Sequence, residues 1–206
     1  AWFGAIASIF TGLLAYECAL PGNSSSNILQ WVIDLFKGKR TELVGVKRPM
    51  ALGYMSPAVE CAVFALGMMA IVPAHLMRSV GGGYDNESIA VSAMVITFYC
   101  WVRSLRNDQS AWWVALSALA YFYMVAAWGG YIFVLNMVGV HAAFLVAAGR
   151  FSDKVYTSYS LFYFIGTALA VQVPVVGWAP LKSLEQLGPC VVFLAYQLLK
   201  VCDMIK

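Results

Sequence analysis

Asp85 and Glu87 stand two residues apart behind three consecutive glycines, in the stretch Arg78-Ser79-Val80-Gly81-Gly82-Gly83-Tyr84-Asp85-Asn86-Glu87-Ser88. Two chemistries suit that pattern. Hard divalent cations such as Mg²⁺ or Mn²⁺ prefer carboxylate oxygens and often take one or two protein carboxylates plus substrate groups. Two acids separated by one residue reach a single ion where the backbone between them is non-helical or just entering a helix. The glycines allow close backbone approach, and helix N-termini attract phosphate. Bare carboxylates repel a phosphate, a bound cation reverses that sign, and Arg78 adds a second positive contact. The alternative is capping. Asp85 or Asn86 accepts a hydrogen bond from an orphan N–H, and acids suit the positive end of a helix dipole. Capping accounts for one acid well and the second adequately, but gives no reason for three glycines.

Other polar groups have plainer readings. His75 and Arg78 are three residues apart and share a helix face. Arg78 reads as a wall facing a phosphate, and His75 as an interface residue that snorkels out of a membrane. His141 lies deep in an apolar run and stands alone there, so a neutral imidazole bonded to a neighbouring helix is expected. Glu17 and Glu60 read as residues at span ends. Trp128 and Tyr131 suit an interfacial aromatic belt. The five cysteines (Cys18, Cys61, Cys100, Cys190 and Cys202) form no CxxC and have no histidine at zinc spacing, so they read as buried, mostly unpaired thiols. Asn23-Ser24-Ser25 and Asn86-Glu87-Ser88 match the glycosylation acceptor pattern, and neither is expected to carry glycan.

The elements that hold these residues follow from composition. Of 206 residues, 62% are hydrophobic and only 11% charged, and the mean hydropathy is +0.76. An ordinary soluble domain is about 25% charged, so too few charges are present to cover a water-facing surface. The chain reads as an all-α, polytopic transmembrane bundle. A net charge of +3 is too small to argue for nucleic acid. Apolar runs fall at 1–20, 58–77, 89–102, 111–127, 131–149, 155–176 and 187–202, which gives about seven spans. The run 89–102 is long enough only if Asp85 and Arg103 lie at the two interfaces. The uncharged stretch 111–149 must break at Trp128-Gly129-Gly130. Pro73 is expected to kink the second span.

Seven spans place eleven of the thirteen basic residues on one side, leaving only Arg78 and Lys182 on the other. The positive-inside rule then makes the 21–57 loop, the 103–110 and 150–154 turns and the C-terminus cytosolic, and the 78–88 turn lumenal or exterior. The chain opens at Ala1 inside an apolar run, without Met or a basic n-region, and stops abruptly at Lys206. It reads as a piece of a longer protein, with residues 1–206 forming part of one transmembrane domain.

Three longer motifs carry a resemblance. Arg78-Ser79-Val80 with Gly83-Tyr84-Asp85-Asn86-Glu87 and Ile89-Ala90 resembles the second acidic motif of the oligosaccharyltransferase catalytic subunit family. Tyr121-Phe122-Tyr123-Met124-Val125-Ala126-Ala127-Trp128-Gly129-Gly130-Tyr131 and Gln172-Val173-Pro174-Val175-Val176-Gly177 resemble further hallmarks of it. The long 21–57 loop is similar to the single-subunit protist forms. The resemblance implies en bloc transfer of an oligosaccharide from a lipid pyrophosphate to Asn in N-x-S/T, in the endoplasmic reticulum membrane, with the acidic motif lumenal. It implies Asp85 and Glu87 as catalytic metal ligands for Mn²⁺ or Mg²⁺, and Arg78 and Trp128 as contacts to the lipid-linked donor. Its implied partners are that donor, an acceptor polypeptide, membrane lipid and other oligosaccharyltransferase subunits. The family's earlier acidic motif, a later glutamate and the C-terminal soluble domain with its Trp-Trp-Asp-Tyr-Gly motif are not in this chain, so the fragment is expected to be catalytically incomplete. Two other readings stand beside this one. One is a transporter or channel segment, disfavoured by acids at the rim and no visible repeat. The other is a purely structural membrane subunit.

Overall fold

The structure is a computed structural model that describes residues 2–20, 57–80, 85–106 and 110–205. The 21–57 loop up to Met55-Ser56, the Asn23 acceptor pattern and the glycine run Gly81–Gly83 with Tyr84 lie outside the described residues. The described chain is all helical: α1 (Trp2–Ala19), α2 (Pro57–Ile71), α3 (Pro73–Ser79), α4 (Asn86–Arg106), α5 (Ser110–Ala127), α6 (Tyr131–Ala147), α7 (Asp153–Val171), the short α8 (Ala179–Lys182), a 3₁₀ turn (Leu184–Gln186) and α9 (Leu187–Ile205).

Each break has a local cause. Pro73 has no N–H to continue the ladder, and α2 and α3 meet at Val72 with a bend of 61°. α5 and α6 part at Trp128-Gly129-Gly130, as the glycines require. α6 closes with a Schellman motif. Gly149 adopts φ +69, the Arg150 N–H donates to the Leu145 carbonyl and the Gly149 N–H to that of Val146, each at 2.9 Å. α7 starts at Ser152, whose Oγ accepts from the Val155 N–H.

Helices α1, α4 and the stretch Leu184–Ile205 are long and apolar enough to cross a membrane, and the bent α2–α3 pair makes a fourth if it counts as one span. Residues 111–127 and 131–147 form shorter apolar helices. The core lies among α4, α5, α6, α7 and α9. Trp101 of α4 stacks edge-on against Tyr159 of α7 at 6.2 Å and meets Phe162 at 5.8 Å, and Tyr121 of α5 meets the same Phe162 at 5.8 Å. Two buried tyrosine hydroxyls bond across helices. Tyr196 donates to the Ala142 carbonyl and Tyr159 to that of Pro189, each at 2.8 Å.

These contacts fix two ends of the bundle. At one end Arg103 pairs with Glu17 and lies over the Trp113 ring, Arg106 donates to the Leu20 carbonyl, and Lys200 pairs with Asp153. At the other end stand the start of α1, α3, the start of α4, the α5–α6 turn and residues 172–186. Ser92 bonds to the Phe3 carbonyl there at 2.7 Å.

Glu17 stands in the last turn of α1 as a span-end residue, but it is buried, with only 2% of its surface accessible, and pairs with Arg103. Two other readings change. His75 does not snorkel outward. It is buried, with Nε2 3.3 Å from the Gly4 carbonyl of α1. All five cysteines are free, but Cys18, Cys61 and Cys202 lie exposed on the outside of the bundle.

Candidate functional site

The bend at Val72 carries α3 across the top of the bundle and delivers Arg78 in its last turn to the start of α4. There one guanidinium nitrogen serves two carboxylates. Arg78 Nη1 donates to Asp85 Oδ2 at 2.5 Å and lies 3.0 Å from Glu87 Oε2. All three side chains are about half exposed, so the ion pairs themselves add little stability. Their meaning is geometric, because two negative charges converge on one point.

Asp85 also begins α4. Its Oδ1 accepts from the Asn86 N–H at 2.7 Å, and its carbonyl accepts from the Ser88 N–H and Oγ, each at 3.0 Å. Capping and charge pairing therefore use different oxygens of the same carboxylate and do not compete. Ser88 is buried beneath them and Asn86 exposed.

The pair fits a hard divalent cation in the sense open to two ligands. The position that both carboxylates address is held by a cationic nitrogen, and such ions commonly take one or two protein carboxylates with the remaining ligands supplied by substrate or water. Among the described residues no group of three or more His, Cys, Asp or Glu gathers as a fuller cage.

Beside Glu87 lies a half-open cleft of about 260 Å³, lined by Glu87, Ala90, Val91 and Met94 of α4, Met124 of α5, Trp128 of the turn between α5 and α6, and Phe133 of α6. It is apolar apart from Glu87. The structure thus brings Glu87 and Trp128 to one cleft, and the ion pair from Glu87 to Arg78, which also holds Asp85, joins the charged cluster to it. His141 stands elsewhere. Its Nδ1 accepts from the Trp101 indole N–H at 3.0 Å, so it is the interhelical partner the sequence suggests and no part of the site.

Met94 and Phe133 are not marked by the sequence, and Met124 only as a member of the Tyr121–Tyr131 motif. The α4 contribution had a signal, however. Glu87, Ala90, Val91 and Met94 follow the spacing i, i+3, i+4, i+7 of one helix face. On the facing wall only Trp128 had a signal, from its motif, because the register of α5 against α4 is a tertiary property.

A model described as Oligosaccharyl transferase STT3, N-terminal, matches residues 58–206. The chain is 44% identical over 205 residues to the Caenorhabditis elegans dolichyl-diphosphooligosaccharide–protein glycosyltransferase subunit stt-3, covering 93% of this chain and 27% of that protein. It is 42% identical over 147 residues to the Dictyostelium discoideum subunit STT3 and 40% identical over 147 residues to that of Saccharomyces cerevisiae, each time covering 71% of this chain and 20% of the relative. The chain therefore spans about a fifth to a quarter of the length of these relatives.

Proposed function

The chain belongs to the oligosaccharyl transferase STT3 family, and from that premise we propose that it forms the donor-side part of the membrane domain of a glycosyltransferase acting in protein N-glycosylation. The substrate is an oligosaccharide on a lipid pyrophosphate, and the acceptor is the amide of Asn in an N-x-S/T sequence. The observation that carries this reading is the continuity of the Arg78–Asp85–Glu87 cluster with an apolar cleft. A lipid pyrophosphate needs that pairing of a charged head with a greasy groove. At about 260 Å³ the cleft lies just below the roughly 300–1,000 Å³ of sites that hold whole small ligands. It suits the first segment of an extended chain.

Asp85 and Glu87 would hold Mn²⁺ or Mg²⁺, with Arg78 freed to face phosphate. When bound, such an ion would supply Lewis-acid polarisation of the acceptor and charge neutralisation at the leaving phosphate. The chain's own residues do the rest. Asp85 fixes the start of α4, Glu87 projects from its first turn, Arg78 meets phosphate oxygens, and the methionine-lined walls keep water from the lipid.

In the membrane, α1, the α2–α3 pair, α4, α5, α6, α7 and α9 make seven passes. The shorter α5 and α6 are accommodated by local thinning of the bilayer. The acidic end faces the lumen of the endoplasmic reticulum, and companion subunits contact the outer faces. In the full-length protein, Asp85→Ala and Glu87→Ala each abolish or severely reduce glycan transfer to a sequon peptide while membrane insertion is kept. Normal transfer by both variants would refute the reading.

A further inference from the structure

Gly129 and Gly130 look equivalent in sequence, but their surroundings differ. A Cβ placed on Gly129 meets nothing within 4 Å. A Cβ placed on Gly130 falls inside the van der Waals envelope of Cε3, Cζ3 and Cη2 of Trp128. The Trp128 indole is folded back across the α-carbon two residues on. The backbone gives no reason for glycine at 130, since φ −74 and ψ 7 suit any residue. What forbids a side chain there is the ring.

We infer that Gly130 is a positioning residue for the donor cleft: it is the seat of the Trp128 indole, and it sets where that ring lies in the wall shared with Glu87, Met94, Met124 and Phe133. Trp128 is 40% exposed and stands in the turn between α5 and α6, so the ring has room to move. A methyl at 130 displaces the ring and leaves the helices in place. The displaced indole no longer forms the wall the donor lipid packs against. Gly130 touches no reacting atom, so the loss falls on donor binding and spares the chemical step.

This inference rests on the donor reading of the cleft, and the experiment separates the two. Donor KM and kcat are measured for the full-length protein in native membranes or nanodiscs, using purified lipid-linked oligosaccharide, for Gly129→Ala, Gly130→Ala, Trp128→Ala and the Trp128→Ala/Gly130→Ala pair. Thermal stability is recorded for each. Gly130→Ala is expected to raise donor KM about tenfold with kcat nearly unchanged, the effect of losing one apolar wall. Gly129→Ala should behave as the parent. Once Trp128 is alanine, Gly130→Ala should add nothing, because the pair acts as one unit. If Trp128→Ala raises KM but Gly130→Ala does not, or if the two effects add, the role of Gly130 is refuted while the donor reading stands. If Trp128→Ala leaves KM unchanged, the donor reading of the cleft falls and the inference falls with it.

Discussion

Asparagine in place of Asp85 separates two roles that the aspartate combines. Asp85 gives Oδ1 to the Asn86 N–H and Oδ2 to Arg78. An amide keeps the first bond through its carbonyl oxygen, but it offers no charge to a cation. Losing a cap altogether costs only about 0.5–2 kcal/mol, which a bundle of this size absorbs. Asp85→Asn is therefore expected to insert normally yet lose about a hundredfold or more of transfer rate, comparable to removing a charge-stabilising group from an active site. Transfer assayed at limiting Mn²⁺ decides it, since near-parental activity would assign Asp85 to capping alone. His141 is a second residue whose role can be isolated. Trp indole nitrogen only donates, so His141 Nδ1 must be an unprotonated acceptor. His141→Phe strands that indole N–H in the bundle and should cost about 0.6 kcal/mol, the average for interhelical hydrogen bonds in membranes, and no more than about 1.7 kcal/mol, their maximum. Unfolding in detergent measures the loss, and an unchanged midpoint would contradict it. His141 was legible in the sequence because it stands alone in an apolar run. Glu17 was not, because its partner Arg103 is 86 residues away and no local pattern links them.

The helices show a similar division between local and tertiary information. The start of α4 near Asp85, the split at Trp128-Gly129-Gly130 and the bend at Pro73 were all readable, because a charge, a glycine pair or a proline acts on its own few residues. The end of α7 was not. The apolar run continues to Val176, but the helix stops at Val171, and Val173 and Val176 pack on the core from a turn. Hydropathy registers their burial and is blind to their backbone. The packing of α1 also escaped notice. Gly4, Ser8 and Gly12 recur every four residues and are buried on one face, the small-residue spacing that lets helix backbones approach. A Cβ on Gly12 would lie 3.0 Å from the Ala62 carbonyl oxygen of α2, a backbone atom that cannot swing aside. Gly12→Leu should therefore separate α1 from α2, costing about 1–3 kcal/mol as overpacking does. Gly67→Ala in α2, where a Cβ meets nothing within 4 Å, should be neutral or stabilising by up to about 1 kcal/mol. Limited proteolysis and thermal melts of the two variants test the contrast, and equal destabilisation would refute it.

Across the whole molecule the described cations divide between the two ends. Arg103, Arg106, Arg150, Lys154 and Lys200 lie at or beside the ends of α4, α6, α7 and α9 that face away from the acidic cluster, and only Arg78 and Lys182 lie at the other end. The helix contacts fix this division independently of any membrane. Glu17 meets Arg103 at one end of α1 and α4, and Phe3 meets Ser92 at their other end. Lysine and arginine near span ends set orientation through the translocation machinery, so the basic end should stay on the cytosolic side. The test uses residues on either side of α7, Lys154 in its first turn and Lys182 at the end of the short α8 that follows it, because α7 is the helix whose crossing is least evident from its hydropathy. With Cys18, Cys61 and Cys202 replaced by serine, Lys154→Cys and Lys182→Cys are introduced singly into the full-length protein in sealed microsomes. Lys154→Cys should react with a membrane-impermeant maleimide at once, and Lys182→Cys only after the vesicles are opened. Labelling of both from the outside would mean that α7 does not cross the bilayer. Reversed labelling would put Arg78, Asp85 and Glu87 in the cytosol, where a lumenal donor could not reach them.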